Sequence, residues 1–470
     1  MISIKKFVKN VIYTFFSNGI SLFISMLSML FLPKILNVEG YGFWQLYVLY
    51  TGYLGICHLG LCDGAYLKYG GKKITDIDKN MFKQEFYILS VYMIVLSVIG
   101  CFIIANFFSG IDEKKEILFL VVLAAVLYIP KTYMLMVAQA CEEFKYYSNV
   151  TILERIVFGI LVIILLVFKI RNFKYYVIAD IIGRSITLIY SLKEYNFILK
   201  EFVRITKEGF VECKKDIKSG FPILVAGIAS NLLVGIIRFF IEDKWSITEF
   251  SKFSLALSIL NIFLSFVNMI GLVIFPVLKR TSAEMMKKLF AWFDEIALVI
   301  LLFILSTGAI VSKFIGVWLP NYVDSVESFC ILLPSCVLEC KMALVCNSYF
   351  KSLNEQKKLL GVNLVTLVFS VILSWITVYG IGKITLVPYV ILIVLAIRVV
   401  ISEVVLRKEL KIKNNKNSLE IAAIIIGYIL LYKLLGVSVI SIVAFIIGGM
   451  SVIRRKNTFQ EIFELCRSHK

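Results

Sequence analysis

The chain has 470 residues, 60% of them hydrophobic and 17% charged, with a mean hydropathy of +0.88. That apolar share exceeds the ~45–50% of an ordinary soluble domain, which excludes a soluble globular protein and implies an integral membrane protein. The formal net charge of +18 raises nucleic acid as a partner, but where the positive residues fall, not their sum, decides that question.

A hydrocarbon core about 30 Å thick takes about 20 mostly apolar residues per helix, and about fourteen such runs lie between polar breaks. They fall at residues 8–32, 43–61, 86–108, 117–140, 150–168, 175–192, 219–241, 250–275, 290–312, 328–350, 359–379, 386–406, 419–435 and 438–453. The last two are short and also suit one re-entrant hairpin. The first, after MISIKKFVKN, is too long for a signal peptide and lacks its small-residue cleavage pattern, so a retained helix is expected. The loop 193–218 is rich in Lys and Glu and is expected to carry an amphipathic surface helix. Pro130, Pro222 and Pro334 stand inside or at the ends of runs, where a missing N–H bends a helix; Pro222 equally suits a first-turn position.

Basic residues alternate by side. One set of loops carries Lys5, Lys6 and Lys9, Lys68 to Lys83, Lys193 to Lys218, Lys279 to Lys288, Lys351 to Lys358, Arg407 to Lys416 and Arg454 to Lys456. The opposite set holds only Lys34, Lys114, Lys115, Lys169, Arg171, Lys174, Lys244, Lys313 and Lys383. Positive-inside bias then puts both termini in the cytoplasm, and nucleic acid is not implied. The cysteines sit mostly inside the runs, with no CxxC pair and no His cluster, so neither disulfides nor a metal site are expected.

Shifting the sequence on itself by about 210 residues lays the first six runs on the next six in the same orientation, and aligns EGYGFWQLYVLY (39–50) with EFSKFSLALSIL (249–260). An even number of spans per half implies a pseudo-two-fold axis along the membrane normal. The expected fold is therefore an all-α polytopic membrane protein: a six-helix lobe over 1–205, a second over 206–415, and an additional helix pair with a tail over 416–470.

Three stretches resemble the polysaccharide-transporter (Wzx-type) branch of the multidrug/oligosaccharidyl-lipid/polysaccharide (MOP) superfamily. They are LPKILNVEGYGFWQL (32–46), LGLCDGAYLKYGG (59–71), with its basic residue and aromatic at Lys68 and Tyr69, and SGFPILVAGIASNLLVGIIRFFI (219–241). In the third, Arg238 matches the family's Asp-Arg pair while Ile237 stands where the acid would be. The resemblance implies an activity, moving undecaprenyl-pyrophosphate-linked oligosaccharide (O-antigen, capsule or a related glycan) across the bacterial cytoplasmic membrane by alternating access. It also implies polymerase and chain-length proteins of the same glycan pathway as partners, besides membrane lipids.

Charges inside the runs need a partner, a wet cavity or a route to the interface, because each costs ~2.5–3.5 kcal/mol at mid-bilayer on insertion scales. Asp180 and Arg184 stand four apart and suit a self-satisfied pair. Lys131 and Lys341 fall on each other under the repeat; they either face a shared cavity or snorkel or pair locally, with Glu142 and Glu339 the nearest acids. Arg398 lies five residues before Glu403, and Arg238 is either a headgroup-reaching side chain or a phosphate ligand. On the functional reading, Arg184, Arg238, Lys131, Lys341 and Arg398 line a cationic lumen for a pyrophosphate, with Asp180 and Glu339 as ion-coupling or pairing groups. Asn18, Asn231, Asn261, Asn268, Asn347 and Asn363 suit sugar hydroxyls or interhelical bonds, and His58 suits packing. A MATE-like multidrug exporter is the alternative and predicts a carboxylate-rich cavity. A glycan polymerase or ligase ranks lower, since the outer loops are too short for an active-site domain and no P-loop, nucleophile elbow or HExxH appears. No enzyme activity, cofactor or metal is expected.

Overall fold

Long apolar segments in a membrane must satisfy their own N–H and C=O groups, and without a closed barrel pattern that leaves helices. The computed structural model describes the backbone of residues 4–108, 110–200, 204–279, 283–353, 355–412, 416–456 and 460–461, and side chains over 16–108, 110–200, 204–265, 278, 284–353, 355–412, 419–456 and 460–461. Among these residues every regular element is helical and no strand occurs. Arg280 and Lys413, and the side chains of Lys5, Lys6, Lys9, Lys279, Lys416 and Asn268, lie outside the described residues.

The helices are α1 (Ile4–Ile35), α2 (Val38–Thr51), α3 (Leu61–Tyr69), α4 (Lys79–Phe107), α5 (Asp112–Ala140), α6 (Phe144–Val167), α7 (Phe173–Glu194), α8 (Phe197–Lys200) and α9 (Lys207–Lys244). They continue with α10 (Ile247–Lys279), α11 (Ala283–Ser306), α12 (Gly308–Trp318), α13 (Ser325–Leu332), α14 (Ser335–Cys340), α15 (Asn347–Ser352), α16 (Gln356–Trp375), α17 (Val387–Leu410) and α18 (Lys416–Arg454). Asparagine and aspartate set several starts: Asn37 accepts from the Gly40 amide at 2.7 Å, Asp78 from the Asn80 and Met81 amides, and Asn172 from the Lys174 amide. The expected runs fall largely on helix, but fewer than fourteen stand as separate candidate spans. Ten helices among the described residues are long and apolar enough to cross a membrane, eleven if the bent pair Ser325–Leu332 and Ser335–Ser352 is one span.

The departures from one run, one straight helix have local causes. The second run is split into α2, a 3-10 turn at Leu54–His58 and α3. The tenth bends by 45° at Leu333 and Pro334, where proline removes a backbone donor, and then passes through a π-helical turn at Lys341–Cys346. Pro222, which also suited a first turn, lies well inside α9 because the amphipathic Lys/Glu segment from Lys207 continues into the apolar run as one 38-residue helix. In α18 the backbone breaks at Gly436 (φ 75°, ψ 170°), a conformation that only glycine adopts without a Cβ clash. Arg455 then pairs with Glu420 at 3.0 Å, so the two arms run antiparallel as a hairpin.

Two compact units divide the chain at Asn231/Leu232. In the first, α5 is central, packing against α2, α3, α4, α6 and α7. In the second, α17 packs against α13, α14 and α16, and α18 lies along α11 and α12. The division falls within α9, later than the 205/206 boundary read from the sequence. The reason is a close contact: a Cβ on Gly64 would lie 2.0 Å from the Asp216 carbonyl oxygen, and one on Gly220 2.0 Å from that of Gly60. Glycine on both partners lets α3 and the first half of α9 meet backbone to backbone, which binds residues 207–231 to the first unit.

Candidate functional site

In the first unit the buried charges of α5, α6 and α7 gather into one network. Asp180 and Arg184 form the expected i, i+4 pair, with Arg184 Nε donating to Asp180 Oδ2 at 2.6 Å. The Tyr47 hydroxyl donates to the same oxygen at 2.7 Å. Lys131 is 1% exposed and pairs with Glu154, not with Glu142. Thr187 also donates to Glu154, at 3.4 Å, and Glu154 feels the Arg184 charge. Tyr128 offers one ring to both cations, 5.5 Å from Lys131 Nζ and 5.2 Å from the Arg184 guanidinium carbon. Two cations thus meet two carboxylates.

At the end of this unit that carries the lysine-rich loops, the Lys68–Tyr69 pair of the second motif meets Glu85. Lys68 pairs with Glu85 and also approaches Asp216 (3.4 Å) and Glu212 (3.6 Å). Glu85 Oε2 accepts from the hydroxyls of Tyr133 at 2.7 Å and Tyr69 at 3.3 Å. His58 is packed, its Nδ1 accepting from the Gly60 amide at 3.1 Å, so it holds no proton there for Asp63, 3.9 Å away. Burial pushes the Asp63 carboxyl up to about 6.

The second unit holds two charge clusters. Lys341, at the head of the π-helical turn, pairs with Glu403 of α17 and lies 2.9 Å from Asp294 of α11. Arg407 closes the cluster, 2.8 Å from Asp294 and 3.6 Å from Glu403, with its guanidinium over the Phe290 ring. Glu339 points away from Lys341, as two residues on one helix must, and meets Arg398 at 3.4 Å. Arg398 Nε also donates to Asn363 at 3.1 Å, which places Asn363 in an interhelical bond. Arg398 and Glu403, five residues apart on α17, point to different sides, and Glu403 serves Lys341. Arg238 stands on another helix pair, donating to Ser254 of α10 at 3.2 Å with its guanidinium over Phe250.

The structure thus brings Lys131, Asp180 and Arg184 together in one unit and holds Lys341 and Arg398 with Glu339 in separate pairs in the other. An excess of deep cations over acids, expected from the sequence, is not what the described residues show. Half-buried Glu154 and buried Asp294 take the lysines' charges. Sequence reasoning passed over both because each sits beside another charged residue near the end of a run. The signal that finds them is a buried lysine with no acid three or four residues away, which requires one from another helix.

A helical bundle with ten or eleven candidate spans and paired charges inside them is a polytopic membrane protein, and its fold is similar to those of solved transporters. Lipid II flippase MurJ, in an inward closed conformation, superposes with a TM-score of 0.66 at 14% identity, covering 96% of this chain and 100% of that one. An outward-facing multidrug resistance MATE transporter of the MOP superfamily gives 0.60 at 13% identity, covering 86% and 96%. A MOP superfamily transporter from Pyrococcus furiosus, described by a reverse polarity of its binding pocket, gives 0.54 at 13% identity with the same coverage. No curated protein matches the sequence. The chain belongs to the polysaccharide biosynthesis protein family, whose model matches residues 7–282.

Proposed function

We propose that the protein is a flippase that moves an undecaprenyl-pyrophosphate-linked oligosaccharide across the bacterial cytoplasmic membrane by alternating access, with both termini in the cytoplasm. The observation that carries this reading is membership of a polysaccharide biosynthesis family in a chain whose whole length takes the fold of a lipid flippase. The task is physical shielding. A sugar chain and a pyrophosphate cannot cross hydrocarbon, whereas the polyprenyl tail is at home there, so only the head needs a polar path. Arg184 and Arg238 are the side chains we assign to the pyrophosphate, because a guanidinium stays charged and binds phosphate oxygens in bidentate fashion. Lys131, Lys341 and Arg398 act in this reading through their carboxylate partners, and Asp180 and Glu339 are the groups we assign to ion coupling. Polymerase and chain-length proteins of the same pathway are the partners that would receive the flipped product.

The likeness in fold to a MATE transporter makes a multidrug exporter the second reading. One experiment separates them. Purified protein is reconstituted into vesicles containing an undecaprenyl-pyrophosphate oligosaccharide, and appearance of the glycan on the far leaflet is followed with a lectin, beside uptake of an organic cation. Glycan transfer that slows in Arg184→Ala supports the flippase; cation uptake without glycan transfer supports the exporter.

A further inference from the structure

At the end of the second unit away from the lysine-rich loops, four turns converge on a cavity of about 520 Å³. Its polar wall is drawn from separate parts of the chain: Glu249 and Lys252 from α10, Asp324 and Glu327 around the start of α13, Thr385 before α17, and Tyr432 from α18. Phe253 and Pro388 supply an apolar floor. The volume lies inside the ~300–1,000 Å³ range of small-molecule sites, and the mixture of apolar surface with a few convergent polar groups is the usual make-up of one.

The charges restrict the ligand. Lys252 is already engaged by Asp324 at 2.5 Å and Glu249 at 3.4 Å, so three carboxylates face one committed cation and the cavity disfavours an anion. A metal ion does not fit either, because among the described residues no three His, Cys, Asp or Glu side chains stand close enough to hold one. What suits the lining is a compact body with several hydroxyl donors and an apolar face. Ionised carboxylates only accept hydrogen bonds, and those from hydroxyl donors are short and strong; Lys252 and Thr385 can donate to ring and hydroxyl oxygens. The ring of Tyr432, held by stacking on Tyr428 with centroids 6.3 Å apart, offers a flat apolar surface.

We propose that this cavity binds one uncharged pyranose residue of the transported glycan at the face where the glycan leaves the protein. The assignment rests on the flippase reading and adds to it a sugar site carried wholly by the second unit.

The test uses the full-length protein in detergent and reads saturation-transfer NMR against methyl glycosides of glucose, galactose, mannose, N-acetylglucosamine and N-acetylgalactosamine, with methyl glucuronide as the anionic control. At least one uncharged glycoside should bind saturably. Its affinity should fall by about tenfold or more in Asp324→Asn/Glu327→Gln, where strong charge-assisted acceptors become neutral ones. An unaltered unfolding midpoint in the double variant excludes misfolding. Methyl glucuronide binding as well as the uncharged sugars, no saturable binding by any of them, or full affinity in the double variant each overturns the site. The vesicle assay keeps this apart from the broader reading: wild-type glycan transfer with unchanged concentration dependence in the double variant sinks the sugar site alone, whereas no transfer by wild type sinks the flippase.

Discussion

Lys341→Met is the most informative single change in the second unit. Lys341, Asp294 and Glu403 are 2%, 3% and 4% exposed, and with Arg407 they form a cluster of two positive and two negative charges. Removing the ammonium leaves two buried carboxylates to share one guanidinium. Breaking a buried pair from one side costs about 3–5 kcal/mol, since the surviving charge keeps its desolvation penalty and loses its partner. For a unit of this size that corresponds to a fall of about 6–20 °C in unfolding midpoint, at about 2–4 °C per kcal/mol. Adding Glu403→Gln restores neutrality, because Asp294 and Arg407 remain paired at 2.8 Å. The double variant should therefore recover at least half of the loss. Midpoints of detergent-purified protein, read by intrinsic fluorescence at one heating rate, measure both. A Lys341→Met protein as stable as the parent, or a double variant no better than the single, would refute the idea that charge balance holds α11, the π-helical turn and α17 together.

Three further outcomes follow from the geometry. Gly64→Ala places a methyl 2.0 Å from the Asp216 carbonyl and should cost about 1–3 kcal/mol or more as overpacking, seen as a lower midpoint; Gly361→Ala, inside α16 with nothing within 4 Å, should not lower it. Asp63 has a folded-state pKa pushed up to about 6 from 3.8, so its ionised form penalises the fold above about pH 6 and the penalty lifts as pH falls toward 4. Asp63→Asn should accordingly raise the midpoint at pH 8 and leave it nearly unchanged near pH 4; a gain of equal size at both would count against the assignment. Cysteines replacing Glu420 and Arg455 should be bridged by a short bismaleimide, detected as a linked peptide by mass spectrometry, since the two side chains meet across the hairpin. A straight helix would hold them about 52 Å apart and give no link.

The positions of the helices were legible because a bilayer imposes one demand on every span, and apolar runs of about 20 residues answer it whatever surrounds them. The Asp180–Arg184 pair was equally legible, being set by helical spacing within α7. The breaks were only half visible. Pro334 marked a bend, but nothing local announces the π-helical turn that begins at Lys341, or the helical continuation from Lys207 that moves Pro222 into the interior of α9. The glycines of 59–71 stood out as a motif; that they meet the backbone of α9 at Asp216 and Gly220 did not.

From the sequence alone one learns that this is an all-helical membrane protein, roughly where its spans lie, which loops are basic, and which ionisable groups are too deep to stand unaided. Tertiary structure alone chose their partners: Glu154 for Lys131, Asp294 and Glu403 for Lys341, Glu339 and Asn363 for Arg398. Hydropathy and helical period are properties of neighbours along the chain. An ion pair depends on a few ångströms between side chains of different helices, a distance settled only when those helices have packed.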